Sequence, residues 1–304
     1  MTILLILVVL VLLLLALSYF AFCRMVLRLP EQPADTVAKW LLPFKDEILS
    51  GSAWFQAQSP ERVSIRSRDG LRLSGWLLPA ENAKGTVLML HGYRSHPFRD
   101  FGAVFPFYHD LGWNVLAVCQ RACGESEGKY ITYGVKERFD ARDWAVFLAD
   151  RFGEDHTIVL HGLSMGSTTA LMALGTELPA NVRGVVADCG FTSPYDILAH
   201  VVRSDYHLPA KPLLALTGIY TKLFADFGLR DYSTQEALRE NQRPIFLLHG
   251  EADSFVPIRA TVENYAASAG EKKLLTIPGA DHAAAWCTAP EECQRNIRKF
   301  LERL

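Results

Sequence analysis

Apolar residues fill the start of the chain almost without interruption. Across residues 3–22 every side chain is apolar except Ser18 and Tyr19, and the first charged residue is Arg24. About 20 apolar residues, each adding about 1.5 Å of helix, cross a hydrocarbon core of about 30 Å. A helix also satisfies its own backbone hydrogen bonds in lipid. Residues 1–23 are therefore predicted to form a single transmembrane anchor.

A cleaved signal sequence is the alternative for this segment. Ala16 and Ser18 have the spacing of a cleavage site, but a positive amino-terminal region is missing and the apolar run continues past them. These departures favour the anchor. Arg24, Arg28 and Lys39 follow the span, so the positive-inside tendency favours a cytoplasmic position for the rest of the chain.

Residues 24–60 are predicted to connect the anchor to a folded domain. They contain one apolar stripe at helical spacing, which Pro43 would kink or divide. Such a stripe can lie on a membrane surface, but we expect it to pack on its own domain. The stripe consists of Val37, Trp40, Leu41, Phe44 and Ile48.

From residue 61 to 304 the pattern predicts an α/β domain. Two strands, 62–67 and 71–78, flank Asp69-Gly70, a strong hairpin signal. Largely apolar strands then alternate with helices, which implies a mostly parallel sheet covered on both faces. The further predicted strands are 86–90, 114–118, 157–160, 182–187, 244–248 and 273–277. The predicted helices are 135–152, 165–174, 259–267 and 291–304.

One interval, residues 191–242, breaks this alternation. It has helical stretches without a convincing strand and is too long for a plain loop in a compact domain. An inserted helical cap over the sheet edge explains it. The cap carries enough aromatic and leucine side chains to line an apolar pocket, although the same residues could serve only to pack it onto the sheet.

Composition excludes some classes of function. The chain has 304 residues, a formal charge of −2 and no basic block, so a nucleic-acid partner is not expected. Its six cysteines form neither a regular disulfide framework nor a CxxC pair, which argues against a zinc or iron–sulfur site and suits a reducing compartment.

A nucleophile motif follows the predicted strand 157–160. Gly162-Leu163-Ser164-Met165-Gly166 has the pattern G-x-S-x-G and precedes a helix-compatible stretch. Gly162 and Gly166 permit the close approach that a sharp strand-to-helix turn requires. The turn leaves Ser164 exposed, and the helix N-terminus offers N–H groups to a developing oxyanion.

A serine nucleophile needs a base and an acid to orient that base. His282 follows the last predicted strand, where the chain order Ser, acid, His places the base. Asp253 lies in the loop after strand 244–248 and is the predicted acid. Asp188 is its main competitor. Less favoured candidates are Glu251 and Asp281 for the acid, and His200 and His207 for the base.

The loop after strand 86–90 supplies the remaining part of the predicted site. It reads His91-Gly92-Tyr93, and in this arrangement it lies beside the nucleophile turn. The backbone N–H groups of Tyr93 and Met165 are predicted to form the oxyanion hole. We expect the histidines that precede a glycine at a strand end to be structural: His91, His161 and His249.

These motifs together resemble the α/β-hydrolase superfamily. The likeness covers residues 61–302 and is greatest to the bacterial branch of serine aminopeptidases, monoacylglycerol lipases and lysophospholipases. The segment 121–128 also resembles the family's R-x-x-G-x-S-x-G pattern, with Cys123 as a departure. The resemblance implies an eight-stranded sheet, neither metal nor organic cofactor, Ser164, Asp253 and His282 as triad, and Tyr93 and Met165 as oxyanion donors.

Ester hydrolysis through an acyl-enzyme is the predicted activity. The anchor and apolar cap favour a lipid-derived or other apolar acyl ester, with the membrane as the other expected partner; the oligomeric state is not predicted. Peptide or amide cleavage is a second hypothesis, for which the cap offers a possible acidic cluster. A non-catalytic, membrane-tethered binding protein is a third. The acidic residues in question are Asp196, Asp205, Asp226 and Asp231.

Overall fold

The structure is a computed structural model that describes residues 1–33 and 35–304. Within these ranges the chain forms one eight-stranded sheet in the order β1-β2-β4-β3-β5-β6-β7-β8. Strand β2 is antiparallel to β1 and β4, and the other neighbours pair in parallel. The strands are β1 Glu61–Arg66, β2 Arg72–Leu78, β3 Gly85–Leu90, β4 Asn114–Val118, β5 Thr157–Leu163, β6 Val182–Asp188, β7 Ile245–Gly250 and β8 Lys272–Ile277.

Helices surround this sheet, which confirms the predicted fold class. Two short 3₁₀ helices, Lys39–Phe44 and Gly102–Val104, accompany the α-helices. The α-helices are α1 Thr2–Val26, α2 Lys45–Ala57, α3 Pro97–Asp100, α4 Phe105–Asp110, α5 Glu137–Phe152, α6 Met165–Ala173, α7 Pro194–Ser204, α8 Ala210–Ala225, α9 Thr234–Glu240, α10 Ile258–Ala267, α11 Ala285–Thr288 and α12 Pro290–Leu301.

Successive side chains of the central strands enter two separate apolar layers. In β3, Val87 and Met89 pack in the layer under α2, α4 and α12, whereas Leu88 and Leu90 pack under α5 and α6. All four are buried. A strand with helices on both faces must be apolar on both faces, which is why these strands read as continuous apolar runs.

Register brings the loops of the site together. Strands β3 and β5 pair from Gly85 opposite Thr157 to Leu90 opposite Gly162, so their carboxyl ends coincide. The loops that follow them therefore lie side by side. Ligands of open α/β sheets bind at these carboxyl ends.

Arg121 begins the 121–128 segment and has a structural position away from the nucleophile. Its guanidinium group is almost fully buried and bonds Asp140 of α5 at 2.6 Å and Asp69 of the β1–β2 turn at 2.9 Å. It thus ties the hairpin turn to α5. Cys123 is also buried and packs in the apolar cluster that contains the end of α1.

The connector stripe packs on the domain, as expected. Val37, Leu41 and Ile48 form a small buried cluster with Ala284 from the loop before α11. Pro43 lies inside the 3₁₀ helix, directly before α2. The connector therefore packs at the carboxyl end of the sheet, beside the loop that follows β8.

The N-terminal helix α1 has 25 residues and mean hydropathy 3.2 in its most apolar window. By length and composition it could cross a membrane or serve as a signal sequence. Most of its side chains are exposed, but Ser18, Ala21, Phe22 and Val26 are buried against the domain. The helix extends three residues beyond the predicted boundary at residue 23.

Candidate active site

Ser164 occupies a sharp turn between β5 and α6. Its backbone has φ 55° and ψ −115°, and its N–H donates to the Asp188 carbonyl at 2.8 Å. A Cβ on Gly162 would overlap the carbonyl oxygen of Gly166, and a Cβ on Gly166 would overlap that of Leu90. Both glycines are therefore required by close backbone approach, as their place in the motif predicts.

The structure brings Ser164, His282 and Asp253 into one hydrogen-bonded chain. Ser164 Oγ is 3.0 Å from His282 Nε2, and His282 Nδ1 is 2.8 Å from Asp253 Oδ2. Ser164, which was expected to be exposed on its turn, is buried together with His282 and instead faces a cavity. With Nδ1–H donating to the carboxylate, Nε2 is free to accept the serine proton, the tautomer that a general base needs.

Asp253 is held as a carboxylate by three hydrogen-bond donors and a close contact with a second histidine. Its Oδ1 accepts from the N–H groups of Phe255 at 2.9 Å and Val256 at 2.7 Å. Its Oδ2 contacts His282 and, at 3.1 Å, His249 Nε2. Burial alone would raise the pKa of Asp253, but hydrogen bonds from the two histidines hold that pKa well below its usual range.

His249 has a closer relation to the site than its expected structural role implied. Its Nε2 also lies 3.0 Å from the Val256 carbonyl, and its Nδ1 lies 2.6 Å from Thr261 Oγ1. The ring therefore bridges the end of β7 to α10 and also contacts Asp253. No sequence pattern could have indicated this contact, because residues 249–253 pass from a strand into a loop.

The competing acids lie elsewhere. Asp188 ends β6, and burial raises its pKa to about 7; among the described residues, its Oδ1 has no hydrogen-bond partner. Glu251 accepts from Thr276 Oγ1 at 2.7 Å. Asp281 accepts from the N–H of Ser254 at 2.8 Å. None of these carboxyl groups is hydrogen-bonded to the His282 ring. The less favoured bases, His200 and His207, lie on and after α7.

The loop after β3 lies against the nucleophile, as predicted. A Cβ on Gly92 would be 3.4 Å from Ser164 Cβ, and the Gly92 N–H donates to Asp100 Oδ2 at 2.6 Å. Within residues 1–33 and 35–304, the N–H groups of Tyr93 and Met165 donate no hydrogen bond. Both predicted oxyanion donors therefore remain available, Tyr93 in the loop after β3 and Met165 at the start of α6.

His91 has the structural role that its position suggested. Its Nδ1 is 2.7 Å from the Gly92 carbonyl oxygen, and its Nε2 accepts from the Gln120 N–H at 3.0 Å. Burial lowers the pKa of His91 to about 4. A ring that stays neutral and is bonded at both nitrogens fixes the start of the loop after β3.

Two aromatic side chains enclose His282. The rings of Trp40 and His282 meet edge-to-face with centroids 5.0 Å apart, and Phe255 approaches from another side at 5.1 Å. Trp40 also stacks on Phe255. The connector is therefore part of the site, a contact that the helical stripe could not predict because periodicity does not identify the partner surface.

A cavity of about 290 Å³ opens beside Ser164. Its wall combines three parts of the chain: the end of α1, the loops at the strand ends, and the cap with α7 and α8. Most of the lining is apolar or aromatic. The cap contributes Ile197, Leu198, Val201, Val202, Tyr206, Leu208 and Leu213, and α1 contributes Leu17, Phe20, Ala21, Arg24 and Met25.

Comparison with known proteins identifies the family. The model of the alpha/beta hydrolase family matches residues 87–293. The chain belongs to this family. It is 25% identical to the uncharacterized protein YqkD of Bacillus subtilis, over 93% of this chain and 92% of that one. An uncharacterized membrane protein of Saccharomyces cerevisiae, YNL320W, is 25% identical over 73% of each chain.

A solved esterase is also similar to this hydrolase. The esterase Pf2001 of Pyrococcus furiosus is 27% identical and superposes with a TM-score of 0.66, covering 90% of this chain and 97% of that one. The family and this esterase neighbour together support hydrolysis of esters in general. The esterase EaEST of Exiguobacterium antarcticum, at 18% identity and a TM-score of 0.58, is a neighbour in fold.

One group of potential metal ligands lies within the hydrolase site. Atoms of Cys189, Asp253 and His282 are within 4.8 Å of one another. Burial raises the pKa of the Cys189 thiol well above its usual value, so the thiol stays protonated, whereas a metal needs a thiolate. The Asp253 carboxylate and the His282 ring are already hydrogen-bonded to each other. The donor set therefore does not suit a metal ion.

The acidic residues of the cap do not form a cluster at the pocket. Asp196 accepts from the hydroxyls of Thr192 and Ser193, and Asp205 from that of Ser204. Ion pairs engage the others: Asp226 with Lys136 and Asp231 with Lys222.

Proposed function

We propose that this hydrolase cleaves carboxylic esters with a lipid-derived or other apolar acyl group, through an acyl-enzyme on Ser164. The proposal rests on two hydrogen bonds beside an apolar cavity, Ser164 to His282 at 3.0 Å and His282 to Asp253 at 2.8 Å. A monoacylglycerol or a lysophospholipid fits this description, which corresponds to the lipase and lysophospholipase branch of the family.

The first half of the reaction forms the acyl-enzyme. His282 Nε2 takes the proton from Ser164 Oγ as that oxygen bonds to the ester carbonyl carbon, and Asp253 stabilises the imidazolium ion. The backbone N–H groups of Tyr93 and Met165 donate to the oxyanion, each such donor being worth about 2.7–4 kcal/mol in comparable sites. His282 then protonates the departing alcohol.

The second half releases the acid. Water gives a proton to His282 Nε2 and attacks the acyl carbon, and the same N–H groups hold the second oxyanion. Collapse returns the proton to Ser164 Oγ and frees the carboxylic acid. Trp40 and Phe255 keep bulk water from two sides of the His282 ring, which strengthens its bond to Asp253.

Ester cleavage is favoured over the aminopeptidase alternative by the charge of the pocket. Two arginines, Arg24 and Arg94, are among the described residues that line it, and no aspartate or glutamate is. A substrate amine needs an acidic partner, whereas an anionic head group suits arginine. Hydrolysis of dipeptide amides faster than of acyl esters would reverse this preference.

We also propose that α1 anchors the protein as a single span with the hydrolase domain in the cytoplasm. Arg24, Arg28 and Lys39, which follow the apolar run, support this orientation. A protease added to sealed inverted vesicles should digest the domain; protection there, with digestion in right-side-out cells, would contradict the orientation.

The test of the activity is labelling with a fluorophosphonate in isolated membranes. Wild type should be labelled and Ser164→Ala should not. Ser167→Ala is the matched control, because Ser167 is a buried serine three residues later whose hydroxyl has no described partner. A wild type that is folded but neither labelled nor able to hydrolyse chromogenic esters would favour the non-catalytic binding protein.

A further inference from the structure

The C-terminal end of α1 is built into the hydrolase domain. Beyond the helix, the Arg28 N–H donates to the Lys129 carbonyl and the Ile131 N–H to the Val26 carbonyl, both at 2.8 Å. These bonds join the chain after α1 to the segment before α5 as a short antiparallel bridge. The end of α1 is therefore fixed by backbone pairing, which a loosely tethered anchor would not need.

The loop beside the nucleophile holds α1 as well. The hydroxyl groups of Tyr93 and Tyr133 both donate to the Met25 carbonyl, at 2.6 and 2.7 Å. The rings of these two tyrosines stack with centroids 5.2 Å apart. The Tyr93 N–H is a proposed oxyanion donor. The Tyr93 side chain therefore connects the Met25 carbonyl, in the last turn of α1, to the backbone that would hold the oxyanion.

The cap holds the opposite side of α1. Tyr220 and Phe224 of α8 pack against Tyr19 and Phe22, with centroid distances of 5.4 Å for Tyr19–Tyr220 and 5.7 Å for Phe22–Phe224. Phe22 is buried at this contact, whereas Tyr19 and Phe224 are 49% and 51% exposed. The helix is therefore clamped between the oxyanion loop and the cap.

One face of α1 lines the cavity beside Ser164. Its five lining residues follow the spacing of a single helical stripe: Leu17, Phe20, Ala21, Arg24 and Met25. At the outer end of this stripe, Leu17 is 45% exposed and Phe20 is 61% exposed. The cavity is therefore bounded by buried side chains near Ser164 and by exposed apolar side chains farther along α1.

The cap exposes apolar side chains in the loop before α8, where they line the cavity, and on α8, where they do not. Tyr206 and Leu208, in the loop before α8, both line the cavity and are 63% and 41% exposed. Ile219, Leu223 and Phe224 of α8 are each more than half exposed. These five residues are termed the cap collar. It is continuous with α1, because α8 packs along that helix.

The exposed apolar surface of α1 leads directly to the collar. Leu17 is exposed and the next residue, Ser18, is buried in the domain, so no linker separates the apolar run from the folded chain. A span formed by this apolar run therefore holds the domain against the bilayer. The collar, at the base of that span, then enters the interface, where Tyr and Leu side chains are stable.

We propose that α1 is a wall of the substrate site and that the cavity opens into the bilayer at the cap collar. A single-chain acyl lipid moves along the Leu17–Met25 face of α1 from the membrane to Ser164 without crossing water. The inference rests on the proposed function and goes beyond it, because it assigns the anchor helix a role in acyl-chain binding.

The first test compares two substitutions one helical turn apart on α1. Leu17→Trp introduces a larger side chain at the cavity, and Leu13→Trp makes the same change at a position that is 60% exposed and does not line it. Assays use full-length protein in mixed micelles with 4-nitrophenyl butyrate and palmitate. A misfit in an apolar pocket is worth about 10–200-fold in discrimination.

We expect Leu17→Trp to lower the ratio of kcat/KM for the palmitate to kcat/KM for the butyrate about tenfold. Leu13→Trp should match wild type on both, and a fluorophosphonate should label all three proteins. Equal palmitate rates for the two variants would overturn the proposal that α1 is a wall of the substrate site. An inactive, unlabelled wild type would instead overturn the proposed function, so the two failures are distinguishable.

The second test measures contact of the collar with acyl chains. Phe224→Trp and Val262→Trp each add a tryptophan at an exposed apolar position, on α8 and on α10 respectively, and α10 does not line the cavity. In vesicles of brominated phosphatidylcholine, the extra fluorescence from residue 224 should be quenched and that from residue 262 should not. Equal quenching at both positions, or none at 224, would overturn the opening to the bilayer.

Discussion

Ser164→Gly should be more stable than Ser164→Ala, because the backbone at the nucleophile is strained. Ser164 has φ 55° and ψ −115°, outside the regions that residues with a Cβ prefer. Sparsely populated backbone costs about 1–3 kcal/mol, and this ψ, far from the left-handed helical region, places the cost near the upper end of that range. Glycine removes the steric part of the cost.

Two opposing effects reduce the gain. Glycine increases the freedom of the unfolded chain by about 0.4–1 kcal/mol, and loss of the buried Cβ forfeits at most about 0.8 kcal/mol. Both variants lack the hydroxyl, so its bond to His282 cancels in the comparison. The balance favours glycine by about 1 kcal/mol. For a domain of this size that corresponds to a Tm difference of about 2 °C.

The assay is thermal unfolding of the detergent-solubilised full chain, followed by circular dichroism. Ser167 supplies a control within α6, where glycine costs about 1 kcal/mol relative to alanine. Ser167→Gly should therefore be less stable than Ser167→Ala, the reverse of the order at Ser164. The same order at both positions would refute the claim that the nucleophile turn stores strain.

Three further substitutions test other parts of the site. Gly166→Ala should leave little folded protein by circular dichroism, because a Cβ there overlaps the Leu90 carbonyl oxygen. Asp253→Asn should lower kcat for chromogenic esters by about 10⁴-fold with the fold unchanged, because an amide does not hold His282 in the reactive tautomer. In urea unfolding, the free energy of unfolding of Asp188→Asn minus that of wild type should increase by about 2 kcal/mol from pH 5 to pH 8. Burial raises the Asp188 pKa to about 7, so wild type loses stability as the pH rises from about 4 to 7, where the unfolded chain has already released this proton.

Each of these predictions has a contrary result. A well-folded Gly166→Ala would mean that the turn can move away from β3. Asp281→Asn is the control for Asp253, since Asp281 bonds Ser254 and the His282 N–H but not the His282 ring; equal losses from both would remove the special role of Asp253. A difference at Asp188 that is constant with pH would mean that this carboxyl group ionises normally when buried.

Local pattern was sufficient for the sheet and for the nucleophile turn. The predicted strand 86–90 corresponds to β3, Gly85–Leu90, and 114–118 to β4, Asn114–Val118. Strands buried on both faces must be continuously apolar, and the short length of these runs together with their flanking turn residues favours strands over buried helices. Gly162 and Gly166 could be assigned because a close backbone approach leaves no substitute for glycine there.

Contacts between distant segments cannot be predicted from the local pattern of apolar residues. Trp40 was predicted to face its own domain, but periodicity cannot show that its ring meets His282, 242 positions later in the chain. The bond between His249 and Asp253 depends on the path of the loop after β7, which the sequence does not specify. Both contacts arise from packing, whose partners are set by the whole fold.

The point where α1 leaves the membrane could not be predicted from the sequence, because lipid and a protein interior both favour apolar side chains. A segment that passes from one to the other is apolar throughout, and its composition cannot mark where the membrane stops. Ser18 shows this directly: its hydroxyl donates to the Leu14 carbonyl at 2.7 Å, so it is satisfied within the helix in either surrounding. Removal of the segment before Tyr19 as a signal sequence would take Leu17 from the cavity wall but would leave Phe22 and Val26 buried against the domain. The packing of residues 19–26 is therefore compatible with an anchor and with a signal sequence, and retention of the whole helix is what would give Leu17 a part in shaping the substrate site.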